Sequence, residues 1–275
     1  MFTLNCKGRL LVIDKPLVMG IINATPDSFF DDSRYNGVDE ITAQAEKMLA
    51  DGADIIDIGG QSTRPGSELI SADEEIERVV PAIKTIAEKF PNAFISIDTF
   101  YSEVVRAAVN AGATIINDIS AGSMDNKMIE TVAELKTPYV LMHMKGTPQT
   151  MQQNAVYENV TREVLDFFIA KTDELKKAGI VDIIIDPGFG FAKTIDQNFE
   201  LLKDLSVFKM LDKPVMLGIS RKSTIYKTLG VNADDALNGT TVLNTIGLMN
   251  GASILRVHDV KEAKEAVTLF SAINK

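Results

Sequence analysis

Short apolar runs recur along the chain, separated by longer segments in which apolar residues return at every third or fourth position. The runs are LVMGIIN (17–23), ADIIDIG (53–59), AFISIDT (93–99), ATIINDI (113–119), PYVLMHM (138–144), VDIIIDP (181–187), PVMLGIS (214–220) and ASILRVHD (252–259). Near-continuous apolarity over so few residues is the pattern of strands buried on both faces. The intervening segments, clearest at 39–50 and 125–135, have the period of amphipathic helices. DGAD, NAGA, KAGI and MNGA each put Gly between a helical segment and the next strand, where it accepts a left-handed cap conformation. Pro81 lies inside the helical pattern from Asp73 to Lys89, so a kink or break is expected there. The start, MFTLNCKGRLLVID, alternates about Lys7-Gly8 and reads as a hairpin, not a signal peptide.

Eight buried strands alternating with helices, in a chain of 275 residues, match the count of a (β/α)8 TIM barrel, here with an N-terminal β-hairpin. A doubly wound open sheet is the competing arrangement. The even count and the lack of a Gly-x-Gly-x-x-Gly after the first strand favour the barrel. No linker interrupts the pattern, so residues 1–275 are expected to form one domain.

Polarity enters at one end of the runs. They finish in Asn23, Asp57, Asp98, Asn117-Asp118, His143, Asp186, Ser220-Arg221-Lys222-Ser223, and Arg256 with His258. In a barrel these ends share one face, the face that carries active sites. A single Asn or Asp there would be read as a local cap, but eight polar strand ends on one axis point to a site. The loop GGQSTRPGS (59–67) belongs to that face. Its Arg64 can reach an anion, and Arg221, Lys222, Arg256 and His258 are expected on the same rim.

Composition narrows the ligand. The net charge of −10 argues against nucleic acid and anionic membranes as partners, and leaves room for an anionic small molecule held by a local basic cluster. Cys6 is the chain's one cysteine, which rules out an internal disulfide and fits a reducing cytoplasm. No apolar run approaches the length of a membrane span, about 20 residues.

The motifs MGIINATPDSF, GGQSTRPGS, SIDT, INDIS, MHMKGTPQTMQ, IDPGFGFAKT, GISRKS and RVHDV, in this order from Met19 to Val260, resemble the dihydropteroate synthases. The resemblance implies the barrel fold and the joining of para-aminobenzoate to 6-hydroxymethyl-7,8-dihydropterin pyrophosphate, with release of pyrophosphate. It implies that Asp98, Asn117 and Asp186 read the hydrogen-bonding edge of the pterin, with Asp57 supporting them and Lys222 donating to acceptor atoms. Arg256 would lie over the pterin plane and reach the pyrophosphate, which Asn23, Arg64 and His258 also meet. Asn23 would stand near a Mg2+ ion. Thr63, Pro65, Phe191 and Ser223 would form the para-aminobenzoate subsite, and Arg64, Lys222, Arg256 and His258 would act on the reaction. His143 is read as structural. The family is commonly a homodimer and a sulfonamide target, so both are implied here. The chain departs from the family pattern at Gln61, at Asp31-Asp32-Ser33 and at Lys145. Two alternatives remain at this stage: a pterin-dependent methyltransferase of the same fold, and a non-catalytic pterin-binding barrel.

Overall fold

In the computed structural model, residues 1–24, 34–61 and 69–274 are described. An antiparallel hairpin, β1 (Phe2–Cys6) and β2 (Arg9–Ile13), opens the chain. Its two-residue turn, Lys7-Gly8, has φ of 57° and 89°. Both values are positive, as the tight hairpin turn compatible with strand twist requires.

The barrel strands follow: β3 (Leu17–Asn23), β4 (Ile55–Gly59), β5 (Phe94–Asp98), β6 (Ile115–Asp118), β7 (Tyr139–Met142), β8 (Ile183–Asp186), β9 (Met216–Leu217) and β10 (Ile254–Val257). They pair in parallel in the order β8-β7-β6-β5-β4-β3-β10-β9. A bridge between Ile185 and Val215 brings β8 to β9 and closes the ring. The eight apolar runs therefore correspond to the eight barrel strands, and the doubly wound alternative is excluded. The last closure is slender because β9 spans only Met216 and Leu217.

Helices wrap the outside: α1 (Arg34–Ala50), α2 (Ala72–Lys89), α3 (Ser102–Ala111), α4 (Met128–Leu135), α5 (Val160–Lys177), α6 (Ile195–Lys203), α7 (Ser223–Leu229), α8 (Leu237–Met249) and α9 (Val260–Ile273). The Gly that ends each of the four helix-to-strand signals stands at positive φ: Gly52 at 100°, Gly112 at 125°, Gly179 at 88° and Gly251 at 101°. Of the kink or break expected at Pro81, the break does not occur: helix α2 runs through it. Pro81 is on the exposed face, while Val79, Ala82, Ile83 and Ile86 are buried on the other, so burial of that face holds the helix together. Among the described residues no helix is long and apolar enough to cross a membrane.

Strand alternation divides the barrel into two cores. Outward residues such as Val18, Ile56, Ile97, Ile116, Leu141, Ile185 and Leu255 pack against the helices. Inward residues at the N-terminal end of the strands form a second cluster with the hairpin: Ile55, Ile115, Ile184 and Ile254 from alternate strands, Met19, Val140 and Met216 from the others, and Leu4, Cys6, Leu11 and Ile13 from β1 and β2. The hairpin thus plugs the N-terminal end. Cys6 lies wholly inside the plug, and burial pushes its thiol up to about 12, so it is a packing residue rather than a reactive one.

Because the plug is remote from the polar strand ends, its stability and the site's chemistry should separate. Leu11→Ala should cost about 2–4 kcal/mol of stability, read as a lower urea midpoint. Ligand affinity in the folded protein should stay within about twofold of wild type by calorimetry.

Candidate active site

The inward positions change character within two residues. On four alternate strands Ile55, Ile115, Ile184 and Ile254 are followed two positions later by Asp57, Asn117, Asp186 and Arg256. Side chains two apart on a strand share a face, and alternate strands of a barrel fill a common layer. A layer of isoleucines is therefore succeeded by a layer of hydrogen-bonding groups. Asp98 ends β5, paired with Gly59 on one side and Asn117 on the other.

Contacts tie this layer together. The Arg256 guanidinium donates from Nε to Asp57 Oδ2 at 2.6 Å and from Nη2 to Asp98 Oδ2 at 2.5 Å. Asn117 Nδ2 donates to the same Asp57 oxygen at 3.0 Å. Asp57 Oδ1 is buried without a partner, so one acceptor of the floor is unspent. Asp186 Oδ1 accepts from the Gly188 N–H at 2.8 Å. Lys222 donates to the Phe189 carbonyl at 2.5 Å and lies 4.7 Å from the centre of the Phe191 ring.

Burial sets the charges. It raises the pKa of Asp98, and the Arg256 guanidinium opposes it. It raises Asp186 likewise, against Lys222 and the Gly188 N–H. Burial lowers Lys222 to about 8, with Asp186 working the other way. For Arg256 burial disfavours the charge, but Asp57 and Asp98 outweigh it and push the guanidinium above its ordinary value. The site is a buried set of mutually dependent charges.

The other residues expected here divide. Phe191 is buried with Phe100, Ile119, Met142, Met151 and Ala192, an apolar shelf beside Lys222. Ser223 is the first residue of α7, next to Lys222. Asn23 is exposed at the end of β3 and level with Gly59. His258 is exposed, with Nδ1 3.0 Å from the Ser220 hydroxyl. Thr63, Arg64 and Pro65 lie outside the described residues, as do Asp31, Asp32 and Ser33. Gln61 is buried and its side-chain oxygen accepts from Ile70 N at 2.9 Å, so it joins the two chain ends that flank residues 62–68.

Three strand-end residues do not join the layer. Asp118 is one position past Asn117 and so faces outward, where it accepts from Ser120 N and Oγ, Gly122 N and the Tyr139 hydroxyl. It is the local cap that a single strand-end Asp is expected to be. Arg221 does not line an anion rim: it grips Asp259 through Nε and Nη2, each at 2.8 Å, and donates to the carbonyls of Ala233 and Asp234. His143 is buried outside the strand ring, 4.9 Å from Phe167 edge to face, in keeping with a structural role. Arg256 has two of its three guanidinium nitrogens, Nε and Nη2, engaged by carboxylates. Lys193, buried beside His143, carried no spacing signal that marked it, whereas Ser220, read as a polar strand end, meets His258.

Comparison with known proteins assigns the architecture to a family. A model of the family described as "Pterin binding enzyme" matches residues 19–258. The dihydropteroate synthase of Escherichia coli K12 is 42% identical over 268 residues, covering 97% of this chain and 94% of that one. The solved Xanthomonas albilineans dihydropteroate synthase with 4-aminobenzoic acid superposes with a TM-score of 0.92 at 38% identity, covering 99% of this chain and 98% of that one. The Yersinia pestis dihydropteroate synthase, solved as a sulfonamide drug complex, gives a TM-score of 0.93 at 38% identity, with 99% of each chain covered. With this fold, this polar layer and this degree of identity over nearly its whole length, the chain belongs to the pterin-binding enzymes and, within them, to the dihydropteroate synthases, a group of transferases.

Proposed function

We propose that the chain joins para-aminobenzoate to 6-hydroxymethyl-7,8-dihydropterin pyrophosphate, giving 7,8-dihydropteroate and pyrophosphate. The observation that carries the reading is the buried layer of Asp57, Asn117, Asp186 and Arg256, with Asp98 beside it, in a chain so similar to dihydropteroate synthases. A pterin edge alternates donors and acceptors. Carboxylates accept from its N–H groups, while an amide both donates and accepts. In this proposal Asp98, Asn117 and Asp186 read that edge, and Lys222 donates to the ring acceptors. Asp57 holds Arg256, whose flat cation covers one face of the pterin.

The nucleophile is the substrate's own amine, a free base at neutral pH, so no side-chain base is needed. The protein's task is to hold the methylene carbon in line and stabilise departing negative charge. Arg256, His258, Asn23 and Arg64 take the pyrophosphate. Thr63, Pro65, Phe191 and Ser223 take para-aminobenzoate, whose ring suits the apolar shelf around Phe191.

Mg2+ is part of the proposal. Among the described residues, no cluster of three or more acidic, His or Cys groups could cage it. The exposed amide of Asn23 fits a magnesium ion that takes its remaining oxygens from phosphate and water. Such an ion would neutralise charge on the leaving pyrophosphate. Arg256 would do the same from the protein side, with His258 offering a ring N–H.

A homodimer is proposed as well. Val242, Ile246 and Met249 are exposed at helical spacing on α8, an apolar stripe suited to a second copy. Sedimentation of the protein as a monomer at micromolar concentration would refute this. The same reading makes the protein a sulfonamide target and a cytoplasmic enzyme. Competition between a sulfonamide and para-aminobenzoate, and imaging of the tagged protein in its own cell, test those two points.

The deciding assay mixes protein, pterin pyrophosphate, para-aminobenzoate and Mg2+, and follows dihydropteroate. A methyltransferase or a silent binder would form none. Asp98→Asn and Asp186→Asn should each weaken pterin binding tenfold or more, since a lost charged hydrogen bond costs about 1.5–3 kcal/mol. Unchanged calorimetric affinity in both would show that the floor is misassigned.

The raised pKa values predict a pH dependence. The carboxylate form accepts from the pterin, so binding is present above the pKa of the free site and is lost as pH falls through it. Burial raises Asp98 and Asp186, so this loss should occur well above pH 4, near which a free Asp titrates. Arg256 lowers both, so in Arg256→Gln the acid limb should move to higher pH. A limb that stays in place in the variant would contradict the coupling.

A further inference from the structure

The loop from β8 to α6, PGFGFAKT (187–194), carries Phe191 and folds around a buried cation. Lys193 is 4% exposed. Its Nζ donates to the carbonyls of Gly188 and Phe191 at 3.0 Å each, and to that of His143 at 3.4 Å. It also meets His143 Nδ1 at 3.1 Å. With Lys193 as an ammonium, a donor only, Nδ1 would be the acceptor and the imidazole would be neutral with its proton on Nε2. Burial first, then Lys193 and Lys145, push His143 down to about 2, which agrees. Burial also lowers Lys193, to about 7, while Asp186 pulls it up and the oxygen acceptors favour its protonated form.

The loop closes tightly on this group. Gly188 stands at φ 72°, and a Cβ there would lie 2.0 Å from the His143 carbonyl oxygen and 3.4 Å from Lys193 Nζ. Gly190 and Ala192 also have positive φ, at 82° and 49°. Such turns direct the carbonyls of residues 188 and 191 toward one point, and Lys193 occupies it. The outer side of the loop is held separately, by Asn198 Oδ1 accepting from Gly190 N at 2.8 Å. The same loop supplies the Phe189 carbonyl to Lys222 and sets the Phe191 ring beside it.

We infer that Lys193 is a positioning residue for the para-aminobenzoate subsite: its buried ammonium, shared among the carbonyls of Gly188, Phe191 and His143 and the His143 ring, fixes the loop that presents Phe191. The inference rests on the function proposed above. Lys193 touches no reacting atom. It acts through Phe191, which it holds by the main chain. The pterin side is less dependent on it: Asp186 is carried by β8 itself and Lys222 by the start of α7, and the loop adds to them only the Gly188 N–H and the Phe189 carbonyl.

The test is Lys193→Met, which keeps the length of the side chain and removes the donors. KM for para-aminobenzoate should rise roughly tenfold, equivalent to about 1.4 kcal/mol. KM for the pterin pyrophosphate and kcat should stay within about twofold. Phe191→Ala alone should also raise the para-aminobenzoate KM. The double variant should be no worse than Phe191→Ala by more than about twofold, because the two residues act in series. A merely structural role would raise both KM values together, or give additive effects, and either result overturns the inference. If Lys193→Met does not fold, Lys193→Gln, which keeps two N–H donors without charge, is read in the same way. If neither folds, Lys193 is needed for the fold rather than for placing Phe191, and the inference fails. Wild-type protein run alongside separates the two proposals. Should it form no dihydropteroate, the proposed function fails, and calorimetry of para-aminobenzoate with a pterin present, wild type against Lys193→Met, decides the role of Lys193.

Discussion

The Arg256 guanidinium between Asp57 and Asp98 is the interaction on which the site depends. Asp57 is wholly buried, Asp98 is partly buried, and buried Asp186 stands a few strands away in the same enclosure. Carboxylates packed this closely in a barrel interior repel one another and lose their hydration. Without a cation among them they would take up protons and lose their value as acceptors. Arg256 supplies that cation from β10, and Lys222 supplies another from the N-cap of α7. The charges support each other, and each strand end contributes only one of them.

The surrounding structure makes this arrangement tolerable. Beneath the polar layer lie the isoleucines of alternate strands and the hairpin plug, an apolar base. Outside the ring, outward residues pack on the helices and hold the strands in register. Two charged strand-end groups that stand apart from the layer are satisfied locally: Asp118 by its own loop and Tyr139, and Arg221 by Asp259. The separation of a rigid apolar base from a polar upper layer is how one barrel combines stability with chemistry.

Loops then complete what strands cannot reach. In the proposed function, strand ends that point along the axis would read a flat ring lying across it, and a second substrate would be met from the side, by residues on the connections. The loop that carries Phe191 is shaped by an internal cation, with three carbonyls turned toward Lys193. Gln61 performs a simpler version of this task, joining the chain at both ends of residues 62–68 through Ile70.

The sequence by itself determined the fold and the identity of the polar layer. The length of an apolar run limits it to a strand, and strand alternation fixes which residues share a face. Isoleucine followed two positions later by Asp57, Asn117, Asp186 or Arg256 is therefore readable without coordinates. The same parity places Asp118 outside, a consequence that a list of polar strand ends overlooks. Tertiary structure decided the partners. Arg256 lies 199 positions from Asp57 and 158 from Asp98, and only closure of the barrel brings them into contact. The long side chains of Arg221 and Lys222 are adjacent in sequence, yet one turns to Asp259 and the other to the Phe189 carbonyl. Lys193 shows the limit most clearly. A lysine beside a helix cap reads as a solvent-facing charge, and only the curl of its loop encloses it among carbonyls. Period and parity are local properties of the backbone, whereas the partner of a flexible charged side chain is settled by which distant segments surround it.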